Sequence, residues 1–348
     1  MIEVAAQLRP PPFAQGDSHL LPVAALRVIQ GDMGGVRVAI DTTKGIAGLK
    51  GALRYVRAYR DQVFVVKLGG DVLAPAEILD SVTGQLALLS SLGIRLVVVH
   101  GGGPQASALS RRLGIEPRMV AGRRVTDDAA LEVAKLVYAG QINVDLLSAL
   151  RAHRVQALGL SGVDADLITA HRRPPVSVVD DSGATIRVDY GHVGDIDRVD
   201  SRVLVTLMDA RIVPVVASLA GGEDGEVYNV NADTVAESLA VALGAQKLIF
   251  LTGAPGVLRN RSDPSTLVTF ADPDDLSGLM ANGALSGGMR PKVEACIRAA
   301  TGGVERTHII DGRAPDALLL EVFTGAGCGT MIVGRKEKAT YMGVDLAG

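Results

Sequence analysis

Residues 63–71 read VFVVKLGGD, and residues 97–105 read VVVHGGGPQ. Each is an apolar, β-branched run broken by glycines. A run without polar alternation suits a strand covered on both faces, which is the habit of parallel sheets. Glycines at its carboxyl end have two readings. They make a tight strand-to-helix turn, or they let backbone N–H groups approach an anion with no Cβ in the way. Pro104, directly after the second loop, suits the first turn of a helix. The positive end of that helix would face the edge where open α/β sheets bind ligands. Lys67 precedes the first loop, and a third glycine stretch, SGGMRPK, occupies 286–292. Together these tilt the reading toward a phosphate-rich ligand. There is no GxxxxGK[ST], and no GxGxxG in a dinucleotide-binding context, so neither of those phosphate motifs applies.

Outward from these loops, strands and helices alternate. Residues 45–60 read as an amphipathic helix with Leu49, Leu53 and Val56 on one face. Helices follow at 75–93, ended by Gly93, and at 104–114; residues 127–152 form one long helix or two. Residues 155–161 read as a strand and 174–200 as β-hairpins. Helix, strand, helix, strand then run over 201–210, 212–218, 231–244 and 247–253. A glycine loop leads into a helix ending near 303, and 306–333 closes as strand, helix, strand. This order predicts an α/β fold, a three-layer αβα sandwich with a mainly parallel central sheet. Ahead of it, 1–22 looks irregular, and the runs at 23–29 and 36–40 suggest a short hairpin.

Composition sets limits on the rest. Apolar residues make up 48% of the 348, aromatics only 3%, and Trp is absent, so the core must be aliphatic. A formal charge of −3 gives no field for nucleic acid or a membrane surface. Cys296 and Cys328 lack metal-ligand spacing, which fits a reduced, cytoplasmic protein. No apolar run approaches bilayer length, and no secretory signal opens the chain.

The segments VVKLGG, VVVHGGGPQ, GRRVTDDAALEVAKLVYAGQIN, VNADTVAESLAVALGA, LTGAPGVL, GGMRPKV and HIIDGRAPDALLLEVFTGAGCGTMI stand in this order between about 45 and 333. In order and spacing they resemble the acetylglutamate kinases of the amino acid kinase superfamily. That resemblance implies transfer of a phosphoryl group from ATP, with Mg²⁺ on its phosphates, to the side-chain carboxylate of N-acetyl-L-glutamate, as in arginine biosynthesis. A carboxylate is already ionised and needs no general base, so the chemistry reduces to positioning and charge neutralisation. Lys67 and Lys292 match the family's two catalytic lysines, and Asp233 matches the acid that orients both. Taken alone, Asp233 reads better as a helix N-terminal charge complementing the dipole. Gly69, Gly70, Gly102 and Gly103 match the backbone donors to the γ-phosphoryl and the substrate carboxylate. Arg124, with Arg123 beside it, matches the clamp on the α-carboxylate, and Asn229 completes it. On the nucleotide side the matches are Lys67, Gly70, Thr252, Gly253, Gly256, Gly288, Met289 and Lys292. Gly253 departs from the Asp often found there, and Val163 and Ala165 depart from a lysine and a glycine in a loop expected on the nucleotide side.

The same resemblance divides the chain. Residues 1–43 form an extension, 44–61 an N-terminal helix suited to an oligomer contact, about 62–225 an acyl-amino-acid lobe and about 226–348 a nucleotide lobe. Tyr55, His308, Glu321 and Gly327 match the residues that bind L-arginine in feedback-inhibited members, which are hexamers built from dimers. Taken singly, His308 reads as a strand-end histidine and Glu321 as a helix surface charge. Three functions follow: the arginine-sensitive kinase; a kinase for another acidic amino acid, such as 2-aminoadipate or N-succinylglutamate; or a silent arginine sensor. Retention of both lysines and Asp233 speaks against the sensor. So do the roughly 15 residues after the last strand, too few for an appended domain.

Overall fold

The computed structural model describes residues 42–179, 184–283, 285, 287–325 and 327–334, with side chains from residue 50 onward. The hairpin expected over 23–40 lies outside these residues.

Strands Val63–Leu68 and Arg95–His100 pair in parallel at the centre of an eight-stranded sheet, Val63 beside Arg95 and Leu68 beside His100. Beyond Val63–Leu68 come Lys247–Thr252, Arg306–Asp311, Thr330–Val333 and Phe270–Ala271; beyond Arg95–His100 come Val213–Ala217 and Ala157–Ser161. The pairing is parallel except between Arg306–Asp311 and Thr330–Val333.

Because successive side chains point to opposite faces, each central strand feeds two cores. Val65, Val97, Val99, Val216 and Phe250 meet helices Ala232–Ala242 and Met289–Thr301. Phe64, Val66, Leu68, Leu96 and Val98 meet helices Ala76–Ser91, Asn143–Ala152 and Ala317–Phe323. Each fully buried Val, Leu or Phe contributes roughly 1.5–3 kcal/mol. An unbroken apolar strand is therefore stable only in the middle layer, and the expected sandwich follows. The core is aliphatic, with Phe64, Phe250, Tyr59, Tyr138, Tyr190 and Tyr228 as scattered aromatics.

Several local expectations change. Residues 127–152 form a continuous rod with a π-helical middle: Asp128–Ala134 is α, Lys135–Ile142 is π and Asn143–Ala152 is α. Within 174–200, Val176–Val179 and Thr185–Val188 make a hairpin, but Gly194–Val199 pairs antiparallel with Ile168–Arg172. It joins a second sheet with Leu219–Gly221 and Val227–Asn229, strands too short to carry a readable pattern. Helix Thr42–Tyr59 is present, but Leu53 stays 42% exposed. Its buried edge runs through Tyr55 and Tyr59, which stack at 6.0 Å, and Tyr59 meets Phe64 edge-on at 5.2 Å.

Candidate active site

Lys67 lies near the carboxyl end of a central strand, and Asp233 in the first turn of helix Ala232–Ala242. Asn231 caps that helix by accepting from the Asp233 N–H at 2.7 Å, which fixes the direction of Asp233. Its carboxylate bridges two ammonium groups: Lys67 Nζ is 2.7 Å from Oδ1 and Lys292 Nζ is 3.1 Å from Oδ2. Lys292 also donates to the Gly288 carbonyl at 3.3 Å. Asp233 and Lys67 are 5% and 7% exposed, and Asp233 also occupies the helix N-terminal position that complements the dipole. Burial alone would raise the Asp233 carboxyl, but the two ammonium groups override it and hold it below the usual range. Burial lowers Lys67, with Asp233 opposing. Two cations on one buried anion leave an unbalanced positive charge, which suits an incoming anion.

The glycine loops lie beside this cluster, and the tight-turn reading of them holds in the packing. A β-carbon on Gly69 would stand 2.9 Å from the Leu251 carbonyl oxygen, and one on Gly70 2.9 Å from the Pro104 ring. One on Gly101 would touch Ala232, and one on Gly102 would overlap Ile142 Cδ1 at 2.2 Å. The glycines thus let two loops and a helix end pack together, and that packing gathers their amides at one edge. Gly103 faces open space. Arg124 rather than Arg123 turns inward. Its Nη2 donates to the Gly103 carbonyl at 2.9 Å and to Ser107 Oγ, while Arg123 is exposed. Asn229 Nδ2 donates to Thr126 Oγ1 at 3.1 Å. Ser107 does not stand out in the sequence, and the buried Thr126 stands within the GRRVT segment with no role read for it.

A cleft of about 320 Å³ is lined by Thr252, Gly253, Gly256, Gly288, Met289 and Lys292, all expected on the nucleotide side, together with Asp71, Ala254, Leu258, Arg261 and Leu285. The Thr252 hydroxyl accepts from the Ala254 N–H at 2.9 Å and so closes its own loop. At Gly253 a β-carbon would stand 2.7 Å from Asp71 Oδ2: the Asp71 carboxylate fills the room a side chain there would need. Asp71 directly follows Gly70 and Leu258 closes the LTGAPGVL segment, but the sequence marks neither as a lining residue, and Arg261 carries no sequence signal. The loop with Val163 and Ala165 is not in this lining. It packs on the second sheet, where Gly162 N–H donates to the Leu219 carbonyl at 2.8 Å, and Ala165 takes a left-handed φ of 51°.

Tyr55, His308, Glu321 and Gly327 gather elsewhere. His308 Nδ1 is 2.7 Å from Glu321 Oε1, and Glu321 Oε2 accepts from the Cys328 N–H at 2.7 Å. Gly327, with φ 61°, lies so close that a β-carbon would be 3.0 Å from Glu321 Oε2. Lys247, unmarked in the sequence, donates to His308 Nε2 at 3.0 Å and lies 5.1 Å from the Tyr59 ring, on which Tyr55 stacks. Burial and the Lys247 charge push the imidazole down to about 4. Burial alone would raise the Glu321 carboxyl, but the His308 and Cys328 contacts bring it to about 2. Glu321 is thus buried rather than a surface charge. Lys247 begins the strand that Thr252 ends, so this cluster and the cleft occupy opposite ends of one strand.

A model of the amino acid kinase family matches residues 62–311. The acetylglutamate kinase of Myxococcus xanthus is 52% identical over 289 residues, 82% of this chain and 94% of that protein. That of Symbiobacterium thermophilum is 46% identical over 82% of this chain and 97% of its own length. Among solved structures, the N-acetylglutamate synthase of Neisseria gonorrhoeae, complexed with coenzyme A and N-acetyl-glutamate, aligns with a TM-score of 0.71 at 28% identity. The alignment covers 83% of this chain but 63% of that synthase. The parallel sheet, the glycine loops at its carboxyl edge and the length of the match lead to one conclusion: the chain belongs to the amino acid kinase family.

Proposed function

We propose that this chain transfers the γ-phosphoryl of ATP to the side-chain carboxylate of N-acetyl-L-glutamate, giving the acyl phosphate and ADP. The observation that carries the reading is the Lys67–Asp233–Lys292 bridge, with one buried acid holding two ammonium groups beside the cleft. Lys67 neutralises oxygens of the moving phosphoryl on the acceptor side, and Lys292 neutralises the leaving side. Asp233 holds both in place through the reaction, so little reorganisation is needed as charge shifts. Amides of Gly69, Gly70, Gly102 and Gly103 donate to the phosphoryl and the acceptor. Arg124, with five donors, keeps its Gly103 contact and clamps the α-carboxylate, while Asn229 orients the amino-acid end. Mg²⁺ bound to the nucleotide phosphates would add neutralising charge. Among the described residues no cluster of metal-ligating side chains offers it a separate cage, and Asp71 is the acid of the cleft lining. The sequence similarity to acetylglutamate kinases supports the choice of acceptor.

The test is ADP release and hydroxylamine-trapped acyl phosphate over a panel of N-acetylglutamate, N-succinylglutamate and 2-aminoadipate. N-acetylglutamate gives the highest kcat/KM, and Lys292→Ala abolishes turnover. A preference for another acid, or activity that survives Lys292→Ala, refutes the assignment. No turnover with any of them would favour the silent sensor.

A second proposal is inhibition by L-arginine at the Glu321 cluster. A buried carboxylate, Lys247 and the Tyr55–Tyr59 pair meet where helix Thr42–Tyr59 packs on the sheet. A guanidinium exchanging for the His308 contact on Glu321 would shift that helix. If this is so, added arginine slows turnover and raises Tm; the absence of both effects removes the proposal. The partly exposed Leu53 suits an oligomer contact of that helix. Residues 1–43 are assigned no step in the chemistry, and their deletion leaves turnover unchanged. Among the described residues no helix is long and apolar enough to cross a membrane.

A further inference from the structure

His100 is the last residue of its strand, directly before the three glycines, and is fully buried. Its Nδ1 lies 3.0 Å from the Gly101 carbonyl oxygen. A carbonyl only accepts, so the ring proton sits on Nδ1 and Nε2 is left as a bare acceptor. Among the described residues that buried Nε2 has no hydrogen-bond partner. A buried polar atom left without a partner costs free energy, and its retention calls for a reason.

The reason lies in the next peptide. In a trans peptide the Gly101 C=O and the Gly102 N–H point in opposite directions. Lys67 stands beside Val99 and Leu68 beside His100, so the lysine and the imidazole occupy opposite faces of the sheet. Drawing the Gly101 oxygen toward the ring turns the Gly102 N–H toward the face of Lys67 and Asp233. The opposite wall is closed as well: Tyr138 and Ile142 of the π-helix leave no room for a β-carbon on Gly102. Burial, helped by the Lys67 charge and opposed by the Gly101 hydrogen bond, holds the imidazole neutral with a pKa near 4.

We infer that His100 is a positioning residue for the phosphoryl transfer: its Nδ1–H fixes the Gly101–Gly102 peptide so that the Gly102 amide is aimed at the moving γ-phosphoryl. This deepens the kinase reading and rests on it.

The test uses the full chain. An asparagine amide nitrogen stands where Nδ1 stands, whereas a glutamine amide nitrogen stands nearer Nε2. His100→Asn should keep kcat within about threefold. His100→Gln and His100→Leu should lose about 10–100-fold in kcat, somewhat less than outright removal of one oxyanion donor, with little change in KM for either substrate. By calorimetry, these two variants lose affinity for MgADP with aluminium fluoride and N-acetylglutamate but keep affinity for MgADP alone. Uniform losses in all three variants that follow Tm would reduce His100 to packing and overturn the inference. Unchanged kcat in His100→Gln would do the same, even if His100→Leu fails to fold. If the parent chain forms no acyl phosphate, the kinase reading fails and the inference falls with it.

Discussion

Replacing Asp233 by Asn removes one charge at nearly constant shape and tests the centre of the proposal. Lys67 Nζ and Lys292 Nζ stand 2.7 and 3.1 Å from the two carboxylate oxygens. At an effective dielectric of about 20, each contact is worth roughly 5–6 kcal/mol of Coulomb energy before desolvation. Desolvation offsets much of that, and breaking a buried pair from one side costs about 3–5 kcal/mol in practice. Lys67 has an escape, because burial already lowers its pKa and the carboxylate is what opposes the shift. Without Asp233 the pKa falls further, and part of the population sheds its proton instead of unfolding the chain. Stability therefore falls by less than about 3–5 kcal/mol, while kcat falls about 10²–10³-fold, the cost of losing one transition-state donor. The protonated lysine is the working form, so activity declines as pH rises through its pKa. In Asp233→Asn that alkaline limb moves to lower pH. The assay is trapped acyl phosphate against pH at saturating substrates, with Tm measured alongside. A variant within threefold of the parent kcat, with an unmoved limb, would refute the reasoning.

Three further outcomes follow. Gly102→Ala forces a methyl into Ile142 Cδ1 at 2.2 Å and should lower kcat at least tenfold; adding Ile142→Ala should recover part of it, and no recovery in a folded double variant would contradict the packing argument. Gly253→Asp brings a second carboxylate against Asp71 and should raise KM for ATP several-fold; Asp71→Ser in the same chain should relieve it, as initial rates against ATP would show. Stability should fall as pH drops from about 6.5 to about 4, because His100 and His308, buried and neutral with pKa values near 4, refuse protons that the unfolded chain accepts. Each contributes up to roughly 3 kcal/mol over that window; a Tm flat between those pH values would show that neither imidazole is held neutral.

The sequence by itself determined the layered α/β fold, because an unbroken apolar strand has only one stable place, between two helical layers. It also marked the glycine loops at the carboxyl edge of the sheet, since glycine and proline leave a local mark on the backbone whatever surrounds them. The motif order pointed to Lys67, Asp233 and Lys292 one by one. What only tertiary structure decided is that they meet. That one Asp233 carboxylate grips both lysines depends on residues far apart in the chain meeting at one strand end. The inward turn of Arg124, the Asp71 carboxylate over Gly253 and the Lys247–His308–Glu321 chain are likewise contacts between elements, with no local pattern to announce them. The π-helical turns at Lys135–Ile142 were hidden for the same reason: within the sequence they look like ordinary helix, and they coincide with the wall that Tyr138 and Ile142 form beside Gly102. Local propensity acts through neighbours in the chain, whereas charge and packing at a site act through neighbours in space, and only folding brings those together.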